Sequence, residues 1–97
     1  MSKLSNNQKR HLRGLAHELN SVVMIGDKGL TQPVLEEIKI ALDAHELIKI
    51  NIRADKEERL AIIEKIVNKT QAQKVQTIGG KLVIFKRSKE AKIAIPK

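Results

Sequence analysis

The chain has 97 residues, 41% of them apolar, with no cysteine and one aromatic residue, Phe85. That length fits one domain whose core buries roughly 60–70% of the unfolded surface. The missing cysteine excludes a disulfide framework and a thiolate metal site, and no run reaches the ~20 apolar residues of a membrane helix.

Lysine and arginine total 19 against 11 acids, a formal net charge of +8. The excess is uneven. Residues 1–30 carry five bases and two acids, and residues 65–97 carry nine bases and one acid. Residues 31–47 are acidic, and residues 48–64 balance. A basic surface built from the two chain ends, attracting a polyanion, is the reading this favours over a lysine excess that only keeps the protein dissolved. The N-terminal MSKLSNNQKRH is polar and has no apolar signal core, so a cytoplasmic protein without a membrane partner is expected.

Ser5 and Gln8 have the spacing of a capping box, and Leu12, Leu15, Ala16 and Leu19 recur at helical intervals, so a first helix is predicted over about residues 5–19. Lys9, Arg10, Arg13 and His17 fall on one flank of it. Gly14 lies inside and costs about 1 kcal/mol relative to alanine; close packing is one explanation. Val22–Ile25 is short and β-branched and reads as a strand. Thr31 is placed to cap a second helix, with Pro33 in its first turn and Leu30 and Leu35 as a hydrophobic staple. Its buried stripe is Val34, Leu35, Ile38, Ala41 and Leu42, ending near residue 45.

Ile48, Ile50 and Ile52 alternate with Lys49, Asn51 and Arg53, a half-buried strand with a polar, basic outer face. Asp55 and Glu58 open a third helix running to about residue 69. Its apolar stripe is Leu60, Ile63 and Val67, with Ile62 and Ile66 beside them. Two β-like runs then flank Gly79-Gly80, a hairpin signal because both glycines can take positive φ. The order is α-β-α-β-α-β-β, an α/β fold with a four-stranded mixed sheet and helices packed on it. Strands reached through helices should run parallel, and the last pair antiparallel. Residues 88–97 form a basic tail in which Ile93 and Ile95 could dock.

GDKGLT, residues 26–31, follows a strand and opens a helix. It can be an ordinary turn. It can also be a phosphate cradle: helix N-termini offer amides and a positive dipole end, glycines admit a nucleic-acid backbone, and Lys28 adds charge. Loops of the form GxxG clamp backbone nucleotides in KH-type modules. Asp27 opposes the cradle unless it points away. From the loop alone a turn is favoured; the basic chain ends reverse that preference.

Other constellations carry less. His11, His17 and His45 have no metal-ligand spacing, and Glu36-Glu37 and Glu57-Glu58 cannot face each other as helical neighbours. No serine has a nucleophile setting. No catalytic site, metal or cofactor is expected. Lys86, Arg87, Lys89 and Lys92 are the densest basic cluster, able to hold phosphates or simply to stay solvated. Phe85 alone cannot make a stacking platform, so recognition should lean on backbone and shape. Lys49 and Arg53 remain as a conceivable second site.

The run VVMIGDKGLTQPVLEEIKIALDAHELIKINI, with VQTIGGKLVIFKR and KIAIP after it, closely resembles the YhbY family of single CRM-domain proteins (chloroplast RNA splicing and ribosome maturation). The resemblance spans nearly the whole chain, so residues 1–97 are expected to form one CRM-type domain. It implies a fold similar to the C-terminal domain of translation initiation factor three, RNA as partner, and association with precursors of the large ribosomal subunit. The family's loop carries over to Gly26, Asp27, Lys28 and Gly29, followed by Leu30 and Thr31. With it, Lys9, Arg10, Arg13, Lys81, Lys86 and Arg87 are expected on one RNA-binding surface of a monomeric, non-enzymatic protein. The alternatives are a DNA-binding architectural protein and a protein-interaction adaptor working through the acidic second helix.

Overall fold

The computed structural model describes residues 4–88, Ala91 and Ile93; the sequence readings at Lys89, Lys92 and Ile95 lie outside them. Helix α1 spans Asn6–His17 and strand β1 Val23–Ile25. Helix α2 (Gln32–His45) and strand β2 (Leu47–Ile52) follow, then helix α3 (Lys56–Thr70) and the strands β3 (Gln73–Ile78) and β4 (Lys81–Phe85). The element order is the predicted one. No helix among the described residues is long and apolar enough to cross a membrane.

Local chemistry fixes the helix starts. The Ser5 hydroxyl accepts from the Gln8 amide, and the Gln8 side chain accepts from the Ser5 amide, a complete capping box. Thr31 caps α2 by accepting from the Val34 amide, and Asp55 caps α3 by accepting from that of Glu58. Helix α1 stops at His17, two residues short of the expected end.

The four strands form one sheet in the order β1-β2-β4-β3. β1 runs parallel to β2, while β4 is antiparallel to both β2 and β3. The three strands entered through helices therefore share one direction, and β4 inserts between two of them. One face of the sheet is sealed by α2 and α3. There Ile38 and Leu42 of α2 and Ile62, Ile63 and Ile66 of α3 meet Val23, Ile25, Ile48, Ile50, Ile52, Leu82 and Ile84. The other face meets α1, through Leu12 and Ala16 against Leu47, Val75, Val83 and Phe85, with Leu4 and Ile93 packed beside them. Leu15 and Leu19 lie off that contact and stay about one-third exposed. Leu60, expected in the stripe of α3, points outward at 56% exposure; Ile62, Ile63 and Ile66 are buried instead.

Glu46 ends α2 with φ 64° and is fully buried. Its carboxylate accepts from Arg87 Nη1 (3.1 Å), the Ser88 amide (2.7 Å) and hydroxyl (3.2 Å), and the Ile93 amide (2.9 Å). Its own carbonyl accepts from the Lys86 amide. A buried carboxylate is tolerated only with such donors around it. The cluster fastens the chain after β4 to the α2–β2 junction.

The hairpin glycines serve different ends. Gly79 has φ +55°, but Gly80 does not take a positive φ, contrary to expectation. Gly80 is needed for closeness: a Cβ there would stand 2.9 Å from the carbonyl oxygen of Ile52, whose amide donates to the Gly80 carbonyl at 2.7 Å. Gly80→Ala should therefore lower the unfolding free energy by about 1–3 kcal/mol, because β2 must shift to admit the methyl. A urea melt followed by circular dichroism reads this directly, and an unchanged midpoint would refute it.

Candidate nucleic-acid interface

Helix α1 begins at the outer edge of the sheet, where the Leu4 amide donates to the Gln73 side chain (2.8 Å). It ends over β2, where Lys49 Nζ donates to the Leu19 carbonyl (2.9 Å) and the Val22 amide donates to the Lys49 carbonyl (2.9 Å). It thus lies across the part of the face where Leu47, Phe85 and Gln73 pair. The part nearer the hairpin turn is left open. Register places Met24, Asn51, Lys81 and Ile78 in one row there, running across all four strands. Met24 is 58% exposed and Ile78 62%.

Between α1 and this open half lies a groove of about 560 Å³. Arg10, Arg13, Gly14 and His17 line it from the helix, and Lys49, Gln76, Ile78 and Lys81 from the sheet. No acid lines it among the described residues. Arg10, Arg13 and Lys81 make no ion pair there either. Like charges on low-dielectric walls, without counter-charges, focus a positive potential that raises the local concentration of an anion.

The GDKG loop sits at the same end of the sheet. Arg53, just past β2, donates its amide to the Ile25 carbonyl, and Ile52 bonds Gly80. The loop, Arg53 and the hairpin turn therefore share one rim. With strands about 4.8 Å apart, the loop and Lys81 stand about 10 Å from each other across it. The loop is a β-turn: the Gly29 amide donates to the Gly26 carbonyl at 2.9 Å, and Gly29 has φ +72°. Asp27 and Lys28 at its tip are exposed and make no ion pair with each other. The helix end behind it offers little, because Pro33 brings no amide and Thr31 occupies that of Val34.

The residues expected on one surface are divided. Arg10, Arg13 and Lys81 come together in the groove; Lys9 is half-buried and does not line it. Gly26, Asp27, Lys28 and Gly29 are on the adjoining rim, with Leu30 half-buried against the core and Thr31 committed to its cap. Lys86 and Arg87 lie at the far end of β4, in a separate recess with Lys39, Asp43 and Thr70. Arg87 is held by Glu46, by the Ile93 carbonyl (2.8 Å) and by the Phe85 ring, 5.3 Å away. Lys49 is part of the groove rather than of a separate site, and Arg53 stands on the rim. Sequence reasoning did not connect Lys49, Gln76 and Ile78 with α1. The alternation along β2 marked their face, but nothing local showed that α1 would cover only half of it. Among the described residues no three His, Asp or Glu side chains gather as metal ligands.

The turn geometry separates its glycines. A Cβ at Gly26 would meet nothing within 4 Å and its φ is not positive, whereas Gly29 sits in the left-handed region. Gly26→Ala should leave stability within about 0.5 kcal/mol, while Gly29→Ala should cost about 1–2 kcal/mol. Paired chemical melts of the two variants check this; equal losses would show that the turn differs from the one described.

Residues 4–86 match the CRS1 / YhbY (CRM) domain. A Haemophilus influenzae protein named "RNA-binding protein" is 53% identical over 98 residues, covering 100% of this chain and 99% of its own. The "Probable RNA-binding protein YqeI" of Bacillus subtilis is 38% identical over 90 residues, covering 92% of this chain and 94% of its own. The solution structure of a hypothetical protein from Staphylococcus aureus superposes with a TM-score of 0.82 at 32% identity, covering 97% of this chain and all of that one.

Proposed function

The chain belongs to the CRS1/YhbY (CRM) domain family, and from that premise we propose that it binds RNA, without catalysis, through the groove and the GDKG rim. The observation that carries this is the groove itself: four permanent cations, Arg10, Arg13, Lys49 and Lys81, gathered from α1, β2 and β4 with no lining acid among the described residues. Cations brought together this way raise the repulsion within the folded state, and a bound polyanion relieves it. The names of the relatives give the polyanion its class, RNA.

The finer reading follows the family resemblance. The protein acts as a cytoplasmic monomer on ribosomal RNA in precursors of the large subunit, and so assists assembly of that subunit. Arg10, Arg13 and Lys81 neutralise phosphates. Lys28 reaches one more from the rim. Gly26 lets the backbone pass close to the loop. Duplex DNA is the main competing ligand, and a competition between it and structured RNA decides between them: preference for DNA would overturn the RNA reading.

Each phosphate contact contributes a fixed part of the salt dependence, so the roles separate by slope. Arg10→Ala, Arg13→Ala and Lys28→Ala should each flatten the plot of log affinity against log salt by about 0.7–0.9. Arg87→Ala should leave the slope unchanged and lower the melting temperature, because it removes a Glu46 partner rather than a phosphate ligand. Filter binding over a salt series, with a thermal melt of each variant, measures both. Flattening by Arg87→Ala but not by the groove variants would place the RNA at the wrong end of β4.

A further inference from the structure

Gly14 is the one glycine inside a helix, and the fold gives no reason for it. Its φ is not positive, and an added Cβ would meet nothing within 4 Å. Close packing against the protein, the reason the sequence suggests, is therefore absent. Yet a glycine in an exposed helix interior weakens the helix. Gly14 lines the groove, one turn after Arg10 and one turn before His17. The missing side chain opens the wall of the groove at the point where the cations flank it.

A second observation concerns the sheet. Met24 and Ile78, both more than half exposed, stand at the two ends of the open row, with Asn51 and Lys81 between them. Asn51 and Gln76 are half-buried and bring side-chain amides to this face. A surface built for phosphates alone has no use for exposed apolar side chains beside neutral amides. Bases do: their faces need apolar contact, and their edges need groups that both donate and accept. Duplex RNA hides its base faces in the stack and presents phosphates and 2′-hydroxyls. A single strand presents bases and phosphates together.

We propose that the groove takes a single-stranded RNA segment, whose backbone passes over Gly14 between Arg10 and His17 and whose bases rest on the Met24–Asn51–Lys81–Ile78 row. The proposal rests on the RNA-binding reading above and narrows its ligand. Gly14 is kept without a side chain because the backbone comes too close for one.

Fluorescence anisotropy over a salt series, with a single-stranded oligoribonucleotide and an RNA hairpin duplex of equal length, tests this. The wild-type protein should bind the single strand at least tenfold more tightly. Gly14→Gln should raise the melting temperature by about 4 °C or more, since glutamine is a far better helix former. The same variant should weaken single-strand binding about tenfold and leave the salt slope unchanged. Ile78→Ser should weaken the single strand and spare the duplex. Equal or tighter binding of the duplex by the wild type overturns the proposal, as does Gly14→Gln binding the single strand undiminished. A Gly14→Gln protein that melts below the wild type also overturns it, because the fold would then need the glycine. If the wild type binds neither RNA, the RNA-binding reading itself fails, a result distinct from these.

Discussion

One helix cannot cover a face of a four-stranded sheet. A helix is about 10 Å across with its side chains, while strands of five or six residues run about 17–20 Å. On one face two helices, α2 and α3, divide the work and the core is closed. On the other, the 12 residues of α1 lie across one half, and among the described residues no element packs over the other half. The interface, the groove and the placement of the basic residues all follow from that shortfall. The open half must carry polar or charged groups to remain soluble, and here it carries cations from three elements that lie far apart in sequence.

The two basic regions of the chain thus acquire different physical roles. At the open end, Arg10, Arg13 and Lys81 line one groove with no acid among the described residues beside them. At the other end, Arg87 is matched to a buried carboxylate and stacked on Phe85. Its side chain is 38% exposed, so solvent screens the pair and its share of the stability is modest. The larger effect comes from Glu46 as a shared acceptor: four donors from residues 87–93 converge on it. A positive-φ glutamate at a helix end is strained, and the convergence of these bonds holds it in place.

What could be read in the sequence was local. The capping box at Ser5, the cap at Thr31, the alternation along β2 and the two-glycine hairpin each depend on residues within a few positions, and each element stands where its signal lies. Long-range facts were not legible. The insertion of β4 between β2 and β3 has no local signature. Helical spacing identified apolar residues of α1 and α3, yet not which edge of the stripe meets the sheet, so it did not separate the buried Leu12 and Ile66 from the exposed Leu15, Leu19 and Leu60. The charge count saw Arg87 as one more cation, since its partner lies 41 residues earlier. Gly14 was visible as an anomaly, but only the surrounding space shows that no close packing among the described residues requires it.

The central claim is that the open half-face, rather than the Arg87 end, receives RNA. Titrating the 15N-labelled protein with a short oligoribonucleotide, and following each backbone amide by NMR, tests it most directly. The account predicts that the largest shifts fall at Gly14, Gln76, Ile78 and Lys81 and along residues 26–29, with Lys86, Arg87 and Ser88 little changed. Shifts concentrated at residues 86–88 and around Lys39, with the groove silent, would contradict it.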